Sequence, residues 1–143
     1  MATVRTAHTD WDGDLASGSG VVHFDSSARP DAEVTWAARS QDANGKTSPE
    51  ELIAAAHSSC FSMALSAGLA KAGSPPQKLA TTAEVSFDPA AGGITGIHLT
   101  VRGTVPGMSA EDFSKAAADA KSGCPVSKAL ASIESITLDA TLE

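Results

Sequence analysis

Three short stretches of apolar residues near the start of the chain predict β-strands. They lie at residues 4–11, 20–24 and 33–38, and turn-forming residues separate them at 12–13 and 26–30. Because the connections are short, consecutive strands are expected to be neighbours in one sheet. The pattern therefore predicts a β-meander.

A longer apolar stretch follows and predicts one long helix. Ser48 is a predicted N-cap, Pro49 fits the first helical position, and Glu51 completes a capping box with Ser48. No residue from 52 to 70 carries a formal charge, and Gly73, which two prolines follow closely, supplies the stop.

This uncharged stretch is long enough to cross a membrane, but its composition argues against that interpretation. Few of its side chains are large and apolar, and most of the others are Ala and Ser, with His57 among them. Small residues at this density suit a helix that protein surrounds on all sides. We therefore expect a buried central helix.

The remainder of the chain predicts a β-hairpin, two helices and a last strand. Alternating apolar positions mark the hairpin strands at 81–87 and 97–101, and similar alternation marks the last strand at 136–142. Between them, Ser109 caps a helix that ends at Gly123, and a short third helix follows directly.

The predicted element order is βββ-α-ββ-α-α-β, which is an α+β fold in a single domain over residues 1–143. A helix that is apolar on every side needs more cover than a three-stranded sheet, a hairpin and a shorter helix give. We therefore expect an obligate homodimer.

Composition narrows the functional classes. A hydrophobic content of 42% with 19% charged residues is ordinary for a folded soluble domain, and the net charge of −7 argues against a nucleic-acid partner. Residues 1–10 lack the apolar core of a signal peptide, so a cytoplasmic location is expected. In that reducing compartment, two cysteines favour redox or metal chemistry over a permanent disulfide.

The two cysteines occupy unequal positions. Cys124 is the predicted N-cap of the short helix, with Pro125 in the first position, and there the helix dipole favours a thiolate. Cys60 lies about three turns into the long helix, beyond the reach of that helix's dipole. On these grounds alone, Cys124 is the activated thiol, and Cys60 is either activated by a charge from elsewhere or an inert core thiol.

His57 precedes Cys60 by three residues on the same helix face, and Glu50 lies near the start of that helix. Three interpretations are open. The first is a zinc site formed by His57, Cys60 and Cys124, but no fourth ligand is evident and the spacing matches no recurrent zinc motif. A Cys/His pair for acyl transfer is an alternative, and a hydrogen-bonded core or interface histidine is the third.

Two segments resemble the motif blocks of the OsmC/Ohr family of bacterial thiol peroxidases. They are TSPEELIAAAHSSCFSMALSAGLAKAG at residues 47–73 and KSGCPVSKAL at residues 121–130. His57, Val126 and Ser127 resemble the OsmC branch more than the Ohr branch. The resemblance in element order extends from WDGD at Trp11 to ITLDATL at residues 136–142.

The resemblance implies an intertwined homodimer with two active sites near the subunit interface. It implies that Cys60 is the peroxidatic cysteine and Cys124 the resolving one, which overrules the argument from the helix dipole. Glu50 matches the glutamate that follows the proline of the first block. The arginine of the family fits Arg39, with Arg29 as the alternative.

The implied reaction is the reduction of hydroperoxides, organic ones and hydrogen peroxide. Cys60 would become a sulfenic acid and condense with Cys124 to a disulfide. An external dithiol, lipoylated protein or dihydrolipoamide by the same resemblance, would reopen the disulfide. No metal or cofactor is expected. The competing hypothesis is a redox sensor or stress-binding module that uses the same disulfide without turnover.

Overall fold

The computed structural model describes all residues, 1–143, as two compact units, one of residues 1–52 and one of residues 53–143. The mixed α and β content agrees with the predicted α+β class. A long helix begins near the end of the first unit and continues into the second, and each unit contains one three-stranded sheet.

The first unit contains the predicted meander. Strands β1 (His8–Asp12), β2 (Ser19–Phe24) and β3 (Arg29–Val34) form an antiparallel sheet in the order β1-β2-β3. All five residues of β1 are exposed, whereas Val22 in β2 is buried. Strand β1 is therefore held mainly by its pairing with β2.

The prediction of a third strand at residues 33–38 had the right length but the wrong position. Strand β3 starts at Arg29 and ends at Val34, and the chain then forms the short helix α1 (Trp36–Ser40). Thr35 causes this change, because its Oγ1 accepts a hydrogen bond from the backbone N–H of Ala38 at 3.0 Å and caps the helix. The element order is therefore βββ-α-α-ββ-α-α-β.

Helix α2 (Pro49–Lys71) has the predicted bounds to within a residue. Ser48 Oγ accepts from the backbone N–H of Glu51 at 3.1 Å, which is half of the predicted capping box. The Glu51 carboxylate instead accepts from Thr47 Oγ1 at 2.6 Å. At the other end Gly73 has φ +87°, and Ser74 N–H bonds to Leu69 O at 2.9 Å, which closes the helix as a Schellman motif.

From His57 onward, α2 is buried along one side only within this chain. Four buried side chains follow this side at intervals of four residues: His57, Phe61, Leu65 and Leu69. Met63 is 72% exposed. By length and composition α2 could cross a membrane, a test that core helices of soluble proteins also pass, and 22% of that apolar stretch is buried. The expected cover on all sides is thus not supplied by the single chain.

The second unit packs α2 and two further helices with a mixed sheet. Strands β4 (Lys78–Asp88) and β5 (Gly93–Thr104) form the predicted hairpin, and β6 (Ile136–Leu142) pairs with β5 in parallel. Helices α3 (Ala110–Gly123) and α4 (Pro125–Ala129) lie between them in sequence. The buried core includes Phe61, Leu65, Leu69, Leu99, Val101, Phe113, Ala117 and Cys124.

Gly103 fixes how α3 meets the sheet. A Cβ at this position would overlap the ring of Phe113, which is fully buried. The absence of a side chain in β5 therefore lets the helix approach closely. This approach sets the position of the end of α3, after which Cys124 follows directly.

Candidate functional site

Two reduced cysteines meet in the second unit. Cys60 lies in the middle of α2 and is partly exposed, whereas Cys124 is fully buried. Cys124 is the N-cap of α4, as the sequence predicted, with Pro125 in the first position. Although 64 positions separate them in the sequence, Cys60 packs against the core cluster that contains Cys124, and the two thiols are close enough for each to shift the pKa of the other.

The surroundings of the two thiols shift their pKa values in opposite directions. Burial opposes ionisation of Cys124, but the backbone N–H of Ser127, the Cys60 thiol, the Ser127 hydroxyl and the backbone N–H of Val126 together lower its pKa. Burial, followed by the proximity of Cys124, raises the pKa of Cys60 despite a hydrogen bond from the Val126 N–H. Within the pair, Cys124 is thus the more acidic thiol, in agreement with the argument from its helix position.

His57 supports Cys124 through Ser127. His57 is fully buried, and its Nε2 lies 2.7 Å from Ser127 Oγ. The Ser127 hydroxyl is also one of the groups that lower the pKa of Cys124, so it links the imidazole to the thiol. The buried Nδ1 of His57 has no hydrogen-bond partner.

Burial also lowers the pKa of His57, which keeps the imidazole neutral at neutral pH. Of the three interpretations left open by the sequence, these contacts support the hydrogen-bonded core histidine. Sequence reasoning used Ser127 only as a branch marker, and its contact with Cys124 was missed. A hydroxyl at the third residue of a helix capped by cysteine was the available signal.

Arg39 and Glu50 form a fork-shaped ion pair in the first unit. Arg39 Nε lies 3.0 and 3.2 Å from the two carboxylate oxygens, and Nη2 lies 2.8 Å from Oε1. Glu50 is buried in the first turn of α2, where the helix dipole also favours a carboxylate. The arginine side chain is 32% exposed. The carboxylate therefore fixes the orientation of the guanidinium.

Arg29, the alternative arginine, lies at the exposed start of β3. It lies outside the ion pair that Arg39 makes with Glu50. Among the residues predicted for the site, the structure thus brings together Cys60 with Cys124 in one unit and Arg39 with Glu50 in the other.

A mainly apolar cavity of about 490 Å³ lies beside Arg39 in the first unit. Its largest side chains are Trp11, Leu15, Trp36 and Leu52, with Arg39 and His8 as polar members. The cavity joins residues from β1, β2, β3, α1 and the start of α2, so no single sequence motif indicated it. An apolar cleft with one cation suits a small organic molecule that has a polar end.

Similarity to known proteins covers the whole chain. Residues 41–139 match the family model described as OsmC-like protein. The peroxiredoxin OsmC of Escherichia coli strain K12 is 41% identical over 145 residues, which span 100% of this chain and 99% of the relative. That relative is named as a thiol-dependent peroxidase, which confirms the enzyme class predicted from the sequence.

Solved structures show the same fold. The OsmC-like protein of Mycoplasma pneumoniae has a TM-score of 0.73 and 16% identity, and the alignment covers 99% of both chains. A putative redox protein of Lactobacillus casei has a TM-score of 0.72 and 20% identity over 99% of this chain and 94% of its own. The family match and the full-length relative show that the chain belongs to the OsmC family, in the OsmC branch that its two motif blocks predicted.

Proposed function

We propose that this protein reduces hydroperoxides with Cys60 as the peroxidatic thiol and Cys124 as the resolving thiol. The Cys60 thiolate attacks the terminal oxygen of ROOH, the O–O bond breaks, and ROH leaves with the substrate's proton or one from solvent. Cys60 becomes a sulfenic acid. Cys124 then attacks its sulfur, water leaves, and a Cys60–Cys124 disulfide forms.

The observation that carries the proposal is the proximity of the two thiols, each of which shifts the pKa of the other. Two cysteines this close in the fold are candidates for a disulfide, whose formation requires neighbouring Cβ atoms. The partial exposure of Cys60 lets a substrate reach it, whereas Cys124 is fully buried and cannot meet a peroxide first. The lowered pKa of Cys124 provides the thiolate that resolution requires.

Because the pKa of Cys60 is raised, the thiol pair alone does not supply the Cys60 thiolate that attack on the peroxide requires. A cation near the Cys60 sulfur would lower that pKa by favouring the thiolate. Arg39, oriented by Glu50, is the cation we propose for this role. A guanidinium can also donate to the peroxide oxygens as the O–O bond breaks.

The apolar cavity beside Arg39 supports organic hydroperoxides as the preferred substrates. Its aromatic and aliphatic side chains can cover the carbon skeleton, and burial of apolar area contributes about 25 cal/mol per Å². Hydrogen peroxide fits as a smaller substrate without this contribution. A dithiol of the lipoyl type, on a protein or free, is the proposed reductant, and the cytoplasm is the proposed compartment.

Counting turnovers tests the function. With cumene hydroperoxide and dihydrolipoamide in excess, each chain is expected to consume many equivalents of peroxide, measured by loss of peroxide and of free thiol. Thioredoxin and glutathione systems serve as reductant controls, and hydrogen peroxide as the substrate control. Consumption that stops after one equivalent with every reductant would identify a redox sensor and contradict the proposal.

We also propose that the protein is a homodimer. The long helix α2 is uncharged from Leu52 to Ala70, yet one side of it remains exposed in the single chain. Met63, on that side, is 72% exposed. A second copy of the chain is the cover that the resemblance implies, with the active sites near the interface.

Met63→Glu is expected to weaken the dimer, because it places a charge in an apolar interface. Sedimentation of the wild-type protein should give twice 14.4 kDa down to micromolar concentration, and the variant should sediment mainly as 14.4 kDa or unfold more readily. Met63→Leu, which keeps the apolar volume, is the matched control and should remain dimeric. A well-folded wild-type monomer would contradict the proposal.

A further inference from the structure

Five polar residues cluster on the sheet of the first unit: His8, Asp10, His23, Asp25 and Asp31. His8 and His23 are directly opposite each other in the β1–β2 register, and their rings stack with centroids 4.5 Å apart. Asp10 follows His8 by two positions and therefore lies on the same face of β1. The pairing of the strands thus places two imidazoles and a carboxylate together.

Each imidazole has a carboxylate at its Nδ1. His8 Nδ1 lies 2.8 and 3.0 Å from the two oxygens of Asp25, and His23 Nδ1 lies 3.0 Å from Asp31 Oδ1. Histidines that bind metals usually donate this second N–H to a carboxylate, which fixes the tautomer and leaves Nε2 as the ligand atom. In both rings the carboxylate at Nδ1 points to Nε2 as the ligand atom.

The backbone of β3 supplies one of these carboxylates. Between Val22 and Phe24 the register with β3 shifts, so that Pro30 and Asp31 both lie opposite His23. Such a bulge suits proline, which has no N–H to contribute to the ladder, and it redirects the neighbouring side chains. The bulge places Asp31 beside the His23 ring.

The distances fit a first-row divalent ion. His23 Nε2 and Asp10 Oδ2 are 3.4 Å apart, close to the separation of about 3.4 Å expected for two atoms that each lie about 2.1 Å from one tetrahedral ion. One ligand atom from each of His8, Asp10 and His23 lies within 4.8 Å of the others. The side chains of His8 and Asp10 are 53% and 75% exposed, which leaves them free to close on an ion.

We propose that His8, Asp10 and His23 form a binding site for Zn²⁺ or a similar divalent transition-metal ion, with Asp25 and Asp31 supporting the two histidines. Two imidazoles and one carboxylate are ligands that such ions accept, and water completes the coordination. The ion would join β1 to β2. Because β1 is exposed along its whole length, this link would stabilise the strand that packing holds least.

Proton competition sets the conditions for binding. The hydrogen bond that His8 donates to Asp25, with the negative charges of Asp25, Asp10 and Asp31, raises the pKa of His8. A metal must displace that proton, so binding should weaken as the pH falls. The groups that face His8 are these three aspartates and His23, and all three carboxylates also favour a divalent cation.

Zinc titration of the full chain by calorimetry tests the site. The Cys60→Ser/Cys124→Ser background removes the thiols as competing ligands. We expect about one Zn²⁺ per chain at mildly alkaline pH, with a rise in Tm. His8→Gln and His23→Gln should each weaken binding at least tenfold and remove the rise in Tm. Asp25→Asn should weaken it by about 10-fold to 100-fold, the usual effect of a residue that supports a ligand.

His98→Gln is the matched control. His98 is another partly exposed strand histidine with a carboxylate contact, 3.1 Å from Asp139, but it has no second histidine beside it. Its loss should leave zinc affinity unchanged. In a chain with native histidines, zinc should shift the imidazole NMR signals of His8 and His23 and leave those of His57 and His98 in place. The proposal would be overturned if the chain did not bind zinc, or if His8→Gln and His23→Gln bound it as tightly as the chain with native histidines.

Discussion

Cys60→Ser is expected to abolish catalytic hydroperoxide consumption, whereas Cys124→Ser is expected to react once and then stop. The serine hydroxyl is not ionised at neutral pH, so the first variant loses its nucleophile and its rate should fall to background. The second variant retains Cys60 but lacks the thiol that resolves the sulfenic acid. That acid should accumulate and react with dimedone, and excess peroxide should oxidise it further.

Serine can keep the backbone hydrogen bonds of the cysteine that it replaces, so Cys124→Ser tests the thiol rather than the local fold. In Cys124→Ser the new hydroxyl can accept the N–H groups of Val126 and Ser127 that Cys124 accepts, so the start of α4 should be preserved. Cys60 also loses the neighbouring thiol that helps to raise its pKa, so its titration should move to lower pH. Stopped-flow mixing with one equivalent of peroxide measures the single turnover.

The opposite pattern of single-turnover results would exchange the roles of the two cysteines. Cys124 is the more acidic thiol of the pair, and its position at a helix start is the kind that activates cysteines. If Cys124→Ser were inert in a single turnover while Cys60→Ser reacted normally, the roles would be reversed. Cys60→Ala, which removes the hydroxyl as well, controls for hydrogen bonding by the introduced serine.

Local signals in the sequence predicted most of the elements. The alternation of Ala83, Val85 and Phe87, the cap at Ser48 and the Cys124–Pro125 helix start each depend on neighbouring residues, and each was confirmed. Periodicity, capping and turn chemistry act over a few positions, so the sequence states them directly.

The errors arose where local signals competed. Residues 33–38 include Val34 and Trp36, which favour strands, but the hydroxyl of Thr35 captures a backbone N–H and starts α1 instead. Pro30 was interpreted as part of a turn, yet it lies within edge strand β3 at a bulge, where a missing N–H costs nothing.

The candidate site could be predicted only in part, because its contacts join residues that are distant in the sequence. Contact between Cys60 and Cys124 depends on how α3 and α4 pack, which no local pattern encodes, and only the family resemblance paired these residues. The His57–Ser127 contact spans 70 positions and was missed. The pairing of Arg39 with Glu50 is nearer in sequence, but it depends on where the loop after α1 returns the chain.

Arg39→Ala is expected to slow the reaction of Cys60 with peroxide by at least 30-fold at neutral pH. A guanidinium in contact with a thiolate is worth on the order of 4 kcal/mol at an effective dielectric of about 20. Without it, even an ordinary cysteine is only about 3% thiolate at pH 7, and burial reduces the fraction at Cys60 further. Loss of hydrogen bonds to the peroxide oxygens should add to the effect.

The pH dependence separates ionisation from positioning. In Arg39→Ala the rate should rise with pH through the alkaline range as Cys60 ionises, whereas the wild-type rate should already be level there. Arg39→Lys keeps the charge but loses the planar fork, so the thiolate should be largely restored and the rate only partly. Ultraviolet titration of the thiolate in the Cys124→Ser background, beside stopped-flow rates, measures both quantities.

Glu50→Gln is expected to lower the reaction rate without changing the pKa of the Cys60 thiol. A carboxylate by itself disfavours a nearby thiolate, so Glu50 can assist only by holding Arg39, which it contacts through two guanidinium nitrogens. With glutamine the charge of Arg39 remains but its orientation is lost. The pKa of Cys60 should then stay as it is in the wild type while the rate falls. A raised pKa of Cys60 in this variant would contradict a purely orienting role.

Two control variants test whether the effect of Arg39→Ala comes from the loss of the guanidinium itself. Arg39→Ala leaves the buried Glu50 carboxylate without its partner and can destabilise the fold, so Arg39→Ala/Glu50→Gln removes both charges together. If the double variant is folded and as slow as the single one, the loss belongs to the guanidinium and not to an unpaired charge. Arg29→Ala should react like the wild type. An unchanged thiolate titration in Arg39→Ala, with a loss in Arg29→Ala, would transfer the activating role to Arg29.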